Sequence, residues 1–120
     1  GVIIPKRNSV TLNYTVAKTS AGAIEYVPVV KVANLPAAID ELKSRGVWIF
    51  GADMDGTDYT ALDYSGSIAL VIGSEGKGIG RLVREKCDFI ASLPMRGKIN
   101  SLNASVAAGI LMFEAAKHRN

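Results

Sequence analysis

Apolar residues along this chain come in short blocks separated by polar, glycine-containing turns, and the spacing inside the blocks switches between strand-like and helix-like. Val2, Ile3 and Ile4 predict a short buried strand ended by Pro5. Residues 9–18 predict a short helix in spite of their β-branched side chains, and residues 20–23 form a small-residue connection. The valine-rich stretch 26–32 predicts a strand. Asn34 is placed as an N-cap, Pro36 is tolerated in the turn that follows, and Ile39 and Leu42 mark one apolar helix face. Lys43 and Arg45 suit the negative end of that helix, and Gly46 suits its stop. Residues 47–52 predict a strand, with Trp48 assigned to the core, and the polar stretch 53–66 predicts a loop. Residues 68–72 read as a strand buried on both faces. A glycine-rich loop (73–80), a short helix (79–86), a strand (89–93) and a loop (94–100) follow. A long helix is predicted over 102–118, with Leu102, Val106, Ile110 and Phe113 on one face.

Strands alternating with helical segments predict an α/β fold built on a mostly parallel sheet. In such sheets ligands bind beyond the carboxyl ends of the strands. Three ends stand out, at Ala52-Asp53, at Gly73-Ser74-Glu75 and at Leu93-Pro94-Met95. The 120 residues show no internal repeat or low-complexity stretch, and they suit one domain. Gly1 followed at once by an apolar run reads as a start inside a larger protein.

Composition narrows the chemistry. A single cysteine, Cys87, leaves no partner for an internal disulfide and fits a reducing cytoplasm. One Cys and one His do not supply a Cys/His zinc site, so no metal is expected. No apolar run approaches the roughly 20 residues of a membrane span. The net charge of +3 permits an acidic partner such as RNA. Cys87 is read as a packing residue and His118 as exposed.

Two loops carry candidate chemistry. Residues 73–80 (GSEGKGIG) lie between a predicted strand and a predicted helix. They fail the P-loop pattern, because Ile79 and Gly80 follow Gly78 where Lys and Ser or Thr are required. They also fail the dinucleotide fingerprint, because Arg81 occupies the position of its third glycine. A ligand cradle and a plain tight turn both fit what remains. Residues 93–107 (LPMRGKINSLNASVA) lead from a loop with two cations into Asn and Ser at a helix start, followed by small residues. Capping by Asn100 or Ser101 and a functional role both fit that pattern.

Taken together, residues 70–78 resemble motif 2, and residues 93–95 with 101–107 resemble motif 3, of the SpoU (TrmH) branch of the SPOUT superfamily. Residues 2–7 and 17–23 further resemble the RlmB-like enzymes that methylate a guanosine ribose in 23S ribosomal RNA. The resemblance runs over essentially the whole chain. It implies a sheet flanked by helices with a C-terminal trefoil knot, a homodimer, and methyl transfer from S-adenosylmethionine to a ribose 2′-hydroxyl of RNA. By the same resemblance Gly73, Leu93, Met95 and Leu102 hold the cofactor, and Glu75, Ser101 and Asn103 are the catalytic positions. Lys77, Arg96 and Lys98 flank these motifs and are the RNA-binding candidates, with Lys6, Arg7, Arg81 and Arg84 behind them and Ser20 on the RNA side.

The departure from the family pattern is its first motif, with an Asn and an Arg, which no stretch of this chain resembles. The expectation is therefore the C-terminal part of a methyltransferase domain (residues 1–120), with the N-terminal portion lacking and the catalytic apparatus incomplete. Two alternatives stand beside it: a catalytically inactive RNA-binding module of the same fold, and an unrelated α/β nucleotide-binding domain.

Overall fold

The computed structural model describes residues 1–5, 29–73, 79–93 and 104–119. It divides into two units, residues 1–38 and 39–120, with the division inside a helix.

In the first unit, strand β1 (Val2–Pro5) pairs in parallel with β2 (Val29–Val32), Val2 opposite Val29 and Pro5 opposite Val32. The first strand is not buried as expected: Val2 and Ile3 are 46% and 40% exposed. Among the described residues these two short strands pair with each other, and apolar content alone does not put a side chain inside. Helix α1 (Leu35–Ser44) begins as predicted, with the Asn34 side chain accepting a hydrogen bond from the Ala37 amide at 3.0 Å. It stops at Gly46, whose φ of 85° lies in the left-handed region. Ile39 is its buried residue.

The second unit carries a parallel sheet of order β4-β3-β5, formed by β3 (Trp48–Asp58), β4 (Ile68–Val71) and β5 (Phe89–Ser92). Helix α2 (Arg81–Lys86) precedes β5, and α3 (Ala104–Ala116) follows it. Asp88 fixes the start of the sheet: its carboxylate accepts from the Ile49 amide and its own amide donates to the Ile49 carbonyl, both at 2.8 Å. The core gathers Phe50, Tyr64 and Ala115, with Leu62, Ile68 and Leu70 packed against them. Phe50 lies between Tyr64 and Phe89, at ring-centroid distances of 4.7 and 4.9 Å.

Four further expectations need correction. The stretch 53–66 is not a loop throughout, because β3 runs on to Asp58 and only then gives way to a 3-10 turn, Tyr59–Ala61. Trp48 is not core: it lies at the exposed start of β3, 53% exposed, and leans on Phe89 at 5.9 Å. The buried face of α3 is Ala107, Leu111, Glu114 and Ala115, whereas Val106 and Phe113 are 49% and 74% exposed. That helix is apolar nearly all round, so its periodicity could not choose a face. His118 is half-buried rather than exposed, because its ring meets Tyr64 edge-on at 5.4 Å.

Candidate functional site

The parallel sheet brings its carboxyl ends to one edge, where α/β ligands bind. Gly51 pairs with Val71, so Gly73, past the end of β4, and Asp53, within β3, each stand two residues beyond that pair. Ala52 pairs with Ala91 on the other side, which sets Leu93 two residues beyond that pair and one past the last rung of β5, Ser92 with Asp58. Gly73 and Leu93 are both half-buried. Central β3 therefore has one predicted cofactor position on each flank.

Between those flanks β3 leaves the ladder and returns. Ala91 pairs first with Ala52 and again with Thr57, so residues 53–56 form an excursion at the carboxyl edge. Polar ties hold it. The guanidinium of Arg84, on α2, grips the Asp53 carboxylate with one nitrogen and donates to the Asp55 carbonyl with the other, at 3.0 Å. Asp53 also accepts from the Met54 amide at 2.7 Å, and the Ser92 hydroxyl donates to the Met54 carbonyl at 3.0 Å. Gly56 closes the excursion against β5 so tightly that a Cβ there would run into the Ile90 carbonyl oxygen and lie 2.7 Å from Ile90 Cγ2. Met54, at the tip, is 60% exposed.

Of the positions the sequence singled out, Gly73 and Leu93 lie at this edge, on opposite sides of β3. Glu75, Ser101, Asn103, Met95, Leu102, Lys77, Arg96 and Lys98 lie outside the described residues, as do Lys6, Arg7 and Ser20. Arg84, considered as a phosphate contact, is engaged internally with its side chain 33% exposed. Arg81 pairs with Glu85 at 3.2 Å but keeps its side chain 91% exposed. Sequence reasoning missed the partnership of Arg84 with Asp53. The two are 31 positions apart, and no local pattern connects them.

Two titratable groups among the described residues, Cys87 and Tyr64, serve packing. Burial, aided by neighbouring Asp88, pushes the Cys87 thiol up from its ordinary pKa, with Lys43 and Arg84 partly opposing, so the thiol stays protonated and packs near Gly51. Burial, with the charge of Glu114 next in weight, pushes the Tyr64 phenol up to about 12, and its hydroxyl donates to the Tyr59 carbonyl at 2.7 Å. Among the described residues no group of three or more His, Cys, Asp or Glu is placed to hold a metal, and no helix is long and apolar enough to cross a membrane.

Residues 1–113 match the model of the SpoU rRNA Methylase family. YacO of Bacillus subtilis, assigned to the TrmH family of tRNA/rRNA methyltransferases, is 56% identical over 121 residues, which is all of this chain and 49% of that protein. The chain thus spans about half the length of the curated relatives it matches. The SpoU methyltransferase AviRb of Streptomyces viridochromogenes, solved with AdoMet, superposes with a TM-score of 0.87 at 28% identity, covering 98% of this chain and 49% of that one. An AdoMet-bound rRNA methyltransferase of Sinorhizobium meliloti gives 0.90 at 26% identity, covering 100% of this chain and 46% of its own.

Proposed function

This chain belongs to the SpoU rRNA Methylase family, and on that premise we propose that it is the S-adenosylmethionine-binding part of an RNA ribose 2′-O-methyltransferase. The observation that carries the reading is the carboxyl edge of the sheet, where half-buried Gly73 and Leu93 flank the β3 excursion. The described wall suits the cofactor. Half-buried Ile72 and Leu93 offer apolar surface to its adenosine and methionine, and Gly73, with no side chain, leaves backbone open to close approach. Among the described residues the guanidinium near this edge, on Arg84, is paired with Asp53, which offsets its repulsion of a sulfonium. AviRb and the Sinorhizobium enzyme, both solved with AdoMet, support the same assignment.

When bound, the cofactor supplies an electrophilic methyl group on a sulfonium, so the protein's task is positioning and proton removal. In this reading Gly73, Leu93, Met95 and Leu102 hold the cofactor, and Glu75, Ser101 and Asn103 orient the ribose hydroxyl and receive its proton. Lys77, Arg96 and Lys98 engage RNA phosphates. The substrate proposed is a guanosine of 23S ribosomal RNA, acted on in the cytoplasm by a homodimer whose C-terminal segment is knotted.

The test uses the full-length protein. Calorimetric titration should show binding of S-adenosylmethionine and none of ATP. Transfer of labelled methyl to 23S rRNA should then leave an alkali-resistant linkage, the mark of a blocked 2′-hydroxyl. Label appearing only in tRNA would remove the ribosomal target. RNA binding without cofactor binding would replace the enzyme by an inactive RNA-binding module.

A further inference from the structure

Residues 53–56 stand at the edge assigned above to the cofactor, and their conformation is not one that β3 would keep unaided. A strand that leaves its ladder and returns to the same residue of its neighbour forfeits backbone pairing with that neighbour over the excursion. Among the described residues, what ties the excursion down is largely one side chain. Arg84 binds the excursion at two points, the Asp53 carboxylate and the Asp55 carbonyl, so its planar fork sets both position and orientation. The pair is partly buried, with side chains 33% and 22% exposed, which strengthens it over a surface ion pair. The other ties among the described residues are single: the Met54 amide to Asp53, the Ser92 hydroxyl to the Met54 carbonyl, and Gly56 packed on the Ile90 backbone. Arg84 comes from α2, which directly follows the 73–80 loop, so the residue joins two of the three strand ends at this edge.

We propose that Arg84 is a positioning residue for cofactor binding: through Asp53 and the Asp55 carbonyl it holds the β3 excursion as the wall between Gly73 and Leu93. The proposal rests on the reading that this edge binds S-adenosylmethionine. Arg84 touches neither the cofactor nor the RNA. Its loss frees the excursion and leaves the Asp53 carboxylate without its partner beside the pocket.

The test is made on the full-length protein with four variants, Arg84→Ala, Arg84→Lys, Asp53→Asn and, as a control, Arg45→Ala, whose ion pair with Glu41 lies on the surface of α1. Arg84→Ala should weaken S-adenosylmethionine binding, and raise its KM, by about tenfold, the loss of one charge-assisted and partly buried contact. Its kcat at saturating cofactor and its KM for RNA should stay within about twofold of wild type, because the reacting groups lie elsewhere. Arg84→Lys should recover only part of the affinity, since an ammonium lacks the second arm of the fork. Asp53→Asn should shift the cofactor KM in the same direction, and combining it with Arg84→Ala should add little more. Arg45→Ala should change nothing.

A merely structural Arg84 would lower the melting temperature and the active fraction while leaving the cofactor KM at its wild-type value, and that result overturns the proposal. Should Arg84→Ala fail to fold, Arg84→Lys and Asp53→Asn decide the matter by the same KM shift. Wild-type protein that binds no S-adenosylmethionine overturns both this proposal and the reading beneath it. Wild-type binding with unchanged affinity in Arg84→Lys and Asp53→Asn overturns the positioning role alone.

Discussion

Replacing Gly56 by alanine should destabilise the fold more than replacing Gly51, although both glycines lie on β3 against β5. At Gly56 the added Cβ would meet the Ile90 carbonyl oxygen, the Ile90 carbonyl carbon at 2.8 Å and Ile90 Cγ2 at 2.7 Å. Carbon–carbon contact is comfortable near about 3.5–4.0 Å, so the shortfall is about 0.8 Å, and two of the three atoms are backbone of a neighbouring strand. They can yield only if β5 shifts or the excursion opens. At Gly51 the intruding Cβ would meet Cys87 Sγ at 2.7 Å, Ile79 Cδ1 at 2.8 Å and Ile90 Cδ1 at 3.3 Å, all ends of side chains that can rotate. Overpacking costs about 1–3 kcal/mol. Gly56→Ala is expected at the upper end, about 3 kcal/mol, and Gly51→Ala at the lower, about 1 kcal/mol. Urea unfolding of the full-length variants, followed by circular dichroism, measures both. A double-mutant cycle sharpens the comparison. Cys87→Ala removes the sulfur in the way and should offset Gly51→Ala by at least about 0.5 kcal/mol, while leaving the cost of Gly56→Ala untouched. A Gly56→Ala protein within about 0.5 kcal/mol of wild type, or a rescue by Cys87→Ala at both positions, would refute the contact geometry and with it the tight closure of the excursion.

Two further outcomes follow from the same packing. Asn34→Ala should cost about 1 kcal/mol by removing the acceptor for the Ala37 amide, with Asn34→Asp close to neutral; a loss equal in both variants would show that the cap is not the cause. The Tyr64 phenol has its folded pKa raised to about 12, so the folded state holds that proton more tightly than the unfolded chain does. Its contribution is complete below about pH 10 and fades as pH rises from there towards 12. Tyr64→Phe should remove that alkaline limb while costing about 1 kcal/mol at neutral pH for the lost hydrogen bond to Tyr59; an unchanged alkaline limb would assign it to another group.

Elements with local signals were legible and those set by distant partners were not. Asn34, Ile39 and Gly46 mark a start, a face and a stop within one helix, and the structure follows all three. Strands at 47–52, 68–72 and 89–93 were placed within a residue or so of their observed starts, and the candidate edge follows from their parallel order. Tyr64 illustrates the opposite case. It sits among Asp63, Ser65 and Gly66, a stretch that reads as exposed turn, yet it is fully buried because the Tyr59 carbonyl satisfies its hydroxyl and Phe50 stacks on its ring. The Arg84–Asp53 tie is likewise invisible to any window shorter than the 31 residues that separate its ends.

Local composition and spacing were enough to predict the α/β class and a mostly parallel sheet, and the motifs at 70–78 and 93–107 carried the family resemblance, because these depend on propensity, periodicity and motif. The path of β3 beyond Ala52, the exposure of Trp48, the choice of buried face on α3 and the inward turn of Arg84 came from the fold. Each depends on which surfaces meet after the chain has folded back on itself. An apolar helix can bury any side, and an arginine can face water or a carboxylate, until a neighbouring strand or helix makes one arrangement lower in free energy.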